Sequence, residues 1–131
     1  MARPRHEHPT PGELEVLKIL WHRGPSTVRQ VWQVLNARRK RHYMSTKSLL
    51  DVMADKGLLT RKRQGRAFLY QAKVAREKTL GQIVEGLLGR VFEGSASALV
   101  AHLLDQAQPS PEEMEQIRRT VEQFHKKQGD E

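Results

Sequence analysis

The chain has 131 residues, 37% of them apolar, no cysteine and a net charge of +8. Without cysteine there can be no disulfide, thiolate metal site or thiol catalysis, and no apolar run approaches the roughly 18–20 residues that span a bilayer. The charge is lopsided, with 16 Lys/Arg against 5 Asp/Glu in residues 1–75 and 7 against 10 in residues 76–131; scattered cations usually mean a solvated surface, but an excess confined to one half favours a polyanionic partner for that half.

A chain of this length can bury one modest core with a helical appendage. The N-terminal MARPRHEHPTPG lacks the apolar segment of a secretory signal, so a soluble, cytoplasmic protein is expected. Residues 1–9 are polar, carry prolines and read as a disordered tail. His6 and His8 lie on it, and two histidines without further ligands are a poor basis for a metal site. No metal or other cofactor is expected.

Thr10-Pro11-Gly12-Glu13 is a capping box, with threonine as N-cap, proline at the first helical position and glutamate three residues on. Leu14, Leu17, Leu20 and Trp21 mark the buried face of the first helix, and Arg23-Gly24-Pro25 closes it. A second helix starts from Ser26 or Thr27, with Val28, Val31, Trp32 and Leu35 on one face. The helical spacing of its partners makes Trp32 a core residue rather than a ligand platform. Asn36 to His42 (NARRKRH) is a basic connector. Arg38, Arg39, Lys40 and Arg41 could be a solvated loop, but they directly precede a helix that reads as a recognition helix. Phosphate contact is the favoured reading, because cations flanking a reading helix fix its register.

Thr46, Leu49, Leu50 and Met53 recur at i, i+3, i+4 and i+7 and share one helical face. Ser45 is the expected N-cap, and Gly57 the left-handed residue that ends the helix. Leu59–Arg63 and Ala67–Gln71 then read as two strands around a tight Gln64-Gly65 turn. Outside remain Ser45, Lys47, Ser48 and Asp51 on the helix, and Arg61, Lys62, Arg63 and Arg66 on the hairpin. Small polar groups on a helix beside a basic hairpin are the layout of a winged helix-turn-helix. The recognition helix would be Ser45–Asp55, the wing Thr60–Gln71 and the whole domain residues 10–75.

Beyond the wing the pattern is wholly helical. Leu80, Ile83, Val84, Leu87, Leu88, Val91 and Phe92 trace a broad apolar stripe on a helix from about Arg76. Gly94-Ser95 breaks it, and Ser95 caps a helix bearing Leu99, Val100, Leu103 and Leu104. Gln108-Pro109 ends that helix, and Ser110-Pro111-Glu112-Glu113 forms a second capping box. The last helix carries Met114, Ile117, Val121 and Phe124 on one seam, has Lys126-Lys127 near its C-terminus where the helix dipole favours cations, and should fray over Gln128–Glu131. These stripes either pack back on the winged helix or meet a second copy of the chain. A second copy is favoured, since a DNA-reading dimer matches its twofold axis to a palindrome. Residues 76–127 would then be a helical dimerisation domain, with Leu87, Val91, Phe92, Leu99, Val100, Leu103, Leu104, Ile117 and Val121 around the shared core. The expected class is mainly α with a small β-hairpin wing, a winged helix-turn-helix domain plus a C-terminal helical dimerisation region.

Three separated motifs carry a family resemblance. ELEVLKILW (residues 13–21) resembles the first-helix signature of the penicillinase-repressor family, the BlaI/MecI type. MADKGLLTRKRQGRAFLY (53–70) resembles the end of its recognition helix plus the wing, and VFEGSASALVAHLLD (91–105) is similar to part of its dimerisation region. The likeness runs over residues 11–125 without a gap. It implies a homodimeric winged-helix repressor on palindromic sites in double-stranded DNA, of a kind often released when a membrane zinc metalloprotease sensor triggers cleavage in the dimerisation domain. The corresponding bond lies near His102-Leu103. Base-reading positions fall on Met44, Ser45, Lys47 and Ser48, with Tyr43, the connector cations and Lys62, Arg63 and Arg66 completing the DNA-contacting set.

There are departures from the family pattern. Relatives usually show Thr-Thr or Lys-Thr where this chain has Met44-Ser45, and often an apolar residue where Lys47 stands, so a different operator sequence is expected. Copper-responsive relatives carry a C-terminal cysteine motif that is absent here, which excludes that sensing mode. Lys47 could donate to guanine O6 or N7 or pair with Asp51 one turn on; base contact is favoured because this polar strip must meet the groove. Asp51 either accepts from a cytosine amine or pairs with a nearby cation.

The alternative function is a winged-helix module that binds another protein, its cations merely solubilising. It leaves the clustering of cations on connector, helix and wing unexplained. No enzyme is expected, because no H-E-x-x-H, nucleophile elbow or phosphate-binding glycine loop occurs. RNA is disfavoured by a wing read as lacking aromatic residues for stacking single-stranded bases.

Overall fold

Threonine caps start the first two helices of the computed structural model, which describes residues 9–129. Thr10 Oγ1 accepts from the Glu13 amide at 3.2 Å while Glu13 Oε1 accepts from the Thr10 amide at 2.9 Å. Thr27 and Gln30 repeat the exchange at 3.2 and 2.9 Å. Each cap satisfies amides that the helix itself leaves unpaired. The elements are α1 (Pro11–Arg23), α2 (Val28–Arg38), α3 (Tyr43–Asp55), β1 (Leu59–Gln64), β2 (Ala67–Ala72), α4 (Arg76–Arg90), α5 (Ala96–Ala107) and α6 (Pro111–Gly129). The expected disordered tail, with His6 and His8, lies outside the described residues except for Pro9.

The chain forms two compact units, one up to Gly86 and one from Leu87, which meet within α4. In the first unit α1 packs against α2, α3 and β2. Being covered on several sides, it buries a wider face than its leucine spacing suggested: Val16 and Ile19 join Leu17 and Leu20 in the core. Leu14 and Trp21, expected on that face, are only half-buried. Trp21 Nε1 instead donates to the Val74 carbonyl at 3.0 Å, pinning the segment after the wing to α1. Val28, Val31 and Leu35 of α2, Leu50 and Met53 of α3, Leu59 and Tyr70 complete the core. Trp32, expected among them, is half-buried and serves the connector.

β1 and β2 pair antiparallel from Leu59↔Ala72 to Gln64↔Ala67. The two-residue loop is therefore Gly65-Arg66, one position later than expected, with Gly65 at φ 62°. That left-handed conformation suits a tight hairpin and favours glycine. Ser26 adds a one-residue third strand: its amide donates to the Tyr70 carbonyl at 3.0 Å, and the Tyr70 amide to its own carbonyl at 2.8 Å.

In the second unit the expected stripe helix stops early. α4 ends at Arg90, and Val91 and Phe92 lie in the following turn, where Glu93 (φ 52°) and Gly94 (φ 84°) are left-handed. The Gly94 amide donates back to the Leu88 carbonyl at 2.8 Å and closes the helix end. Ser95 Oγ accepts from the Ala98 amide at 3.2 Å as the cap of α5. Gln108, at φ 44°, terminates that helix. Ser110 Oγ accepts from the Glu113 amide at 3.1 Å at the start of α6. Gln128 and Gly129, expected to fray, remain helical; Asp130 and Glu131 lie outside the described residues. No helix among the described residues is long and apolar enough to cross a membrane.

Candidate nucleic-acid interface

The turn from α2 into α3 is built by side chains of α2. Asn36 Oδ1 accepts from the Arg41 amide at 3.0 Å, and Trp32 Nε1 donates to the Arg41 carbonyl at 2.9 Å. With Arg41 held through both its amide and its carbonyl, α3 can start at Tyr43. Its N-cap is His42, which makes no side-chain cap bond. Ser45, expected as the cap, is an exposed residue inside the first turn, and the recognition helix is two residues longer than its spacing suggested. The connector is correspondingly shorter, since Asn36 to Arg38 belong to α2.

Burying Thr46, Leu50 and Met53 turns the opposite face of α3 outward. Met44, Ser45, Lys47 and Ser48 are exposed there, and Asp51 is partly so. On one side stand the connector cations. Arg38 closes α2, Arg39 and Lys40 are exposed, and Arg38 and Arg41 both reach Glu15 of α1, at 4.0 and 3.9 Å. Tyr43 sets its ring edge-on to Trp32 at 5.9 Å, with the Arg29 guanidinium 5.9 Å from its centroid. Arg29 is a cation at this edge that the sequence reading did not single out.

The wing flanks the other side. Strand alternation places Leu59, Arg61 and Arg63 on one face, opposite Ala72, Tyr70 and Phe68. Leu59 points into the core, so Arg61 and Arg63 lie on the α3 side of the hairpin, whereas Lys62 faces the other way. Arg66 occupies the tip. Phe68 is 42% exposed, which corrects the expectation of a wing without aromatic residues available for stacking. The Arg61 guanidinium lies 5.3 Å from its ring centroid, so one face of that ring is already covered.

Asp51 joins helix to wing. Its Oδ2 accepts from Lys47 Nζ at 2.8 Å, and its Oδ1 from Arg61 Nη1 at 3.0 Å and Tyr70 Oη at 2.6 Å. The hydrogen bond from Lys47, then that from Tyr70, holds the carboxyl below the usual aspartate range. Burial first, and donation to Asp51 second, pushes the Tyr70 phenol up to about 12. At neutral pH the cluster is therefore two cations, one anion and a neutral phenol. Arg61 was absent from the expected contact set because the bond lies ten residues from Asp51 and appears only once the hairpin register is known. Among the described residues no group of three or more His, Cys, Asp or Glu side chains could hold a metal ion.

Three packed helices, with a short turn before the third and a hairpin returning beside it, define a winged helix-turn-helix. The chain belongs to the penicillinase repressor family, whose model matches residues 9–123. It is similar to the transcriptional regulator BlaI of Mycobacterium tuberculosis, 31% identical over 122 residues that cover 90% of this chain and 87% of the relative. The penicillinase repressor of Bacillus licheniformis is 24% identical over 111 residues, covering 85% and 87%. Two solved structures share the fold. The DNA-binding domain of the repressor BlaI overlays with TM-score 0.50 at 22% identity, over 56% of this chain and 90% of that one. A MarR family protein from Bacillus stearothermophilus gives 0.52 at 20% identity, over 92% and 76%. The family is one of transcriptional repressors, and the chain is not an enzyme.

Proposed function

We propose that this chain is a homodimeric repressor that occupies a palindromic operator in double-stranded DNA in the cytoplasm. The observation that carries the reading is the outward strip of α3 standing between two banks of cations, while its apolar side is committed to the core. Met44, Ser45, Lys47 and Ser48 face base edges in the major groove. Arg38, Arg39, Lys40, Arg41, Tyr43, Lys62, Arg63 and Arg66 contact phosphates, fixing the register of the helix without reading sequence.

Dimerisation is supported by what the second unit lacks. No described residue from Leu87 onward is buried, and Leu87, Val91, Val100, Leu103 and Val121 are 41–64% exposed. Apolar side chains at this density mark a surface that another chain covers. A second copy pools these residues with Phe92, Leu99, Leu104 and Ile117 in one core, and its twofold axis calls for an inverted repeat. Family membership further supports release by cleavage near His102-Leu103, set off by a membrane metalloprotease sensor. A cut there divides α5 and with it the shared core.

The test is selection of bound duplexes from randomised DNA, followed by a salt series on the winner. An inverted-repeat consensus and a slope of about −0.9 per neutralised phosphate are expected. A salt-independent affinity, or no enriched sequence, would defeat the reading and leave a protein-binding module in its place.

A further inference from the structure

Asp51 is an anion in the middle of a cationic reading surface, and its position is fixed. The Tyr70 hydroxyl holds one carboxylate oxygen at 2.6 Å from a side chain that is 1% exposed. Tyr70 is in turn held by its ladder partner Arg61 and by the backbone exchange with Ser26. The carboxylate therefore cannot swing away when a duplex approaches. Lys47 and Arg61 both lean on it, one from the helix and one from the wing.

We propose that Asp51 is a specificity-determining residue that acts by positioning Lys47 and Arg61, lowering affinity for arbitrary DNA more than for the operator. This rests on the reading of the surface as a DNA interface. The donor inventory makes the distinction. An ammonium has three N–H donors and a guanidinium five. Lys47 spends one on Asp51 and keeps two for a guanine edge; Arg61 spends one and keeps four. Contacts made in the positions that Asp51 enforces coexist with its bonds. Arbitrary duplex is held through phosphates, which the two cations could reach freely only by leaving Asp51. A phosphate drawn to either cation also comes close to the fixed carboxylate, and like charges repel. The anion thus removes part of the sequence-independent attraction while leaving directed contacts in place.

Asp51→Asn keeps the shape and an oxygen for Tyr70 and Arg61 but removes the charge. The experiment measures affinity and salt dependence for a duplex recovered by selection and for the same duplex shuffled. With Asp51→Asn the shuffled duplex should bind roughly three- to tenfold tighter, with a salt slope steeper by about one unit. Binding to the selected duplex should change less than the shuffled one, so the ratio falls. In a Lys47→Gln/Arg61→Gln background the same change should have little further effect. Tyr70→Phe, which frees the carboxylate but keeps every charge, should lower the ratio in the same direction by less.

A merely structural Asp51 would weaken both duplexes with no steeper slope, and that result overturns the proposal. An undiminished gain in the double-glutamine background also overturns it, since the anion would then repel DNA without positioning anything. Should Asp51→Asn fail to melt cooperatively, Tyr70→Phe decides, and an unchanged ratio sinks the idea. If the unmodified chain binds neither duplex with salt dependence, the DNA reading itself falls and takes this proposal with it. Salt-dependent binding with an unaltered ratio removes only the role of Asp51.

Discussion

The two units of this chain solve the burial of apolar surface in opposite ways. Up to Gly86, α1, α2, α3 and the hairpin enclose Val16, Leu17, Val31, Leu35, Leu50 and Met53 with no measurable exposure. From Leu87, residues of the same chemical type are arranged at helical spacing, yet none is buried. Hydrophobicity therefore does not by itself say where a core is; what matters is whether the chain supplies the opposing face. The first unit brings three helices and a hairpin together and so leaves its outer surface for charge. The second has apolar faces that the described residues leave exposed, the observation on which the proposed dimer rests.

The largest expected effect tests that contrast directly. Leu103→Asp places a charge at a position that is 56% exposed in one copy and buried in the proposed dimer. An unpaired charge in apolar surroundings is strongly disfavoured, and a dimer carries the change twice. Sedimentation should show a dimer for the unmodified chain at micromolar concentration and a monomer for the variant. A monomeric unmodified chain would erase the contrast between the units.

The next effect is confined to the self-contained unit. Leu17→Ala removes a fully buried side chain of α1 and should cost about 2–5 kcal/mol, from lost transfer energy plus the cavity left behind. Unfolding of the first unit, followed by near-ultraviolet circular dichroism, should shift to lower denaturant while the association state is unchanged. Dissociation of the variant at lower denaturant than the unmodified chain, with the first unit still folded in both, would show that the two units are less independent than their cores suggest.

How much could be read in advance follows the same divide between local and distant causes. The caps at Thr10 and Ser95 are legible because each is a bond across three residues, and the same kind of bond settles the open start of α2 on Thr27 rather than Ser26. The wing was legible from alternation and a glycine turn. The start of α3 was not, because no local cap sets it; it depends on Arg41 being held by Trp32 and Asn36. Val16 and Ile19 were missed because a single stripe was assumed for a helix covered on several sides. Val91 and Phe92 continue an apolar run that the backbone leaves at Arg90. The exposed strip of α3 was foreseen from period alone, but the grouping of Asp51, Arg61 and Tyr70 needs the strand register as well.

A smaller effect probes one bond of the first unit. Glu13 is buried and its Oε2 accepts from Lys56 Nζ at 2.8 Å, joining α1 to the end of α3. Burial alone would raise its pKa, but the Lys56 and Thr10 bonds outweigh it and leave the carboxyl below 4.5. A folded pKa below the unfolded one contributes stability above about 4.5 and loses it as pH falls through the folded value. Glu13→Gln retains the capping box, which accepts either residue, and so isolates the ion pair. It should cost about 1 kcal/mol at neutral pH, discounted because Lys56 is half in solvent. The difference between the two proteins should vanish in acid. Denaturant midpoints at neutral and acidic pH provide the check; a constant difference would mean that charge at Glu13 is not what the pair uses.

The smallest effect lies at Thr46, between the core and the outward strip of α3. Its hydroxyl is buried and, among the described residues, makes no hydrogen bond. Leaving such a group unpaired costs roughly 1–3 kcal/mol relative to an apolar group of the same shape. Valine has that shape, and its helix propensity is close to that of threonine. Thr46→Val should therefore leave stability unchanged or raise it by up to about 1 kcal/mol, a few degrees in melting temperature for a chain of this size. Because the side chain points inward, neither the salt slope nor the selected DNA sequence should move. That combination would mark the first unit as one whose stability can be adjusted without touching its reading surface. A clear loss of stability would show instead that the hydroxyl is bonded in solution, and a changed consensus would show that the buried and reading faces of α3 are coupled.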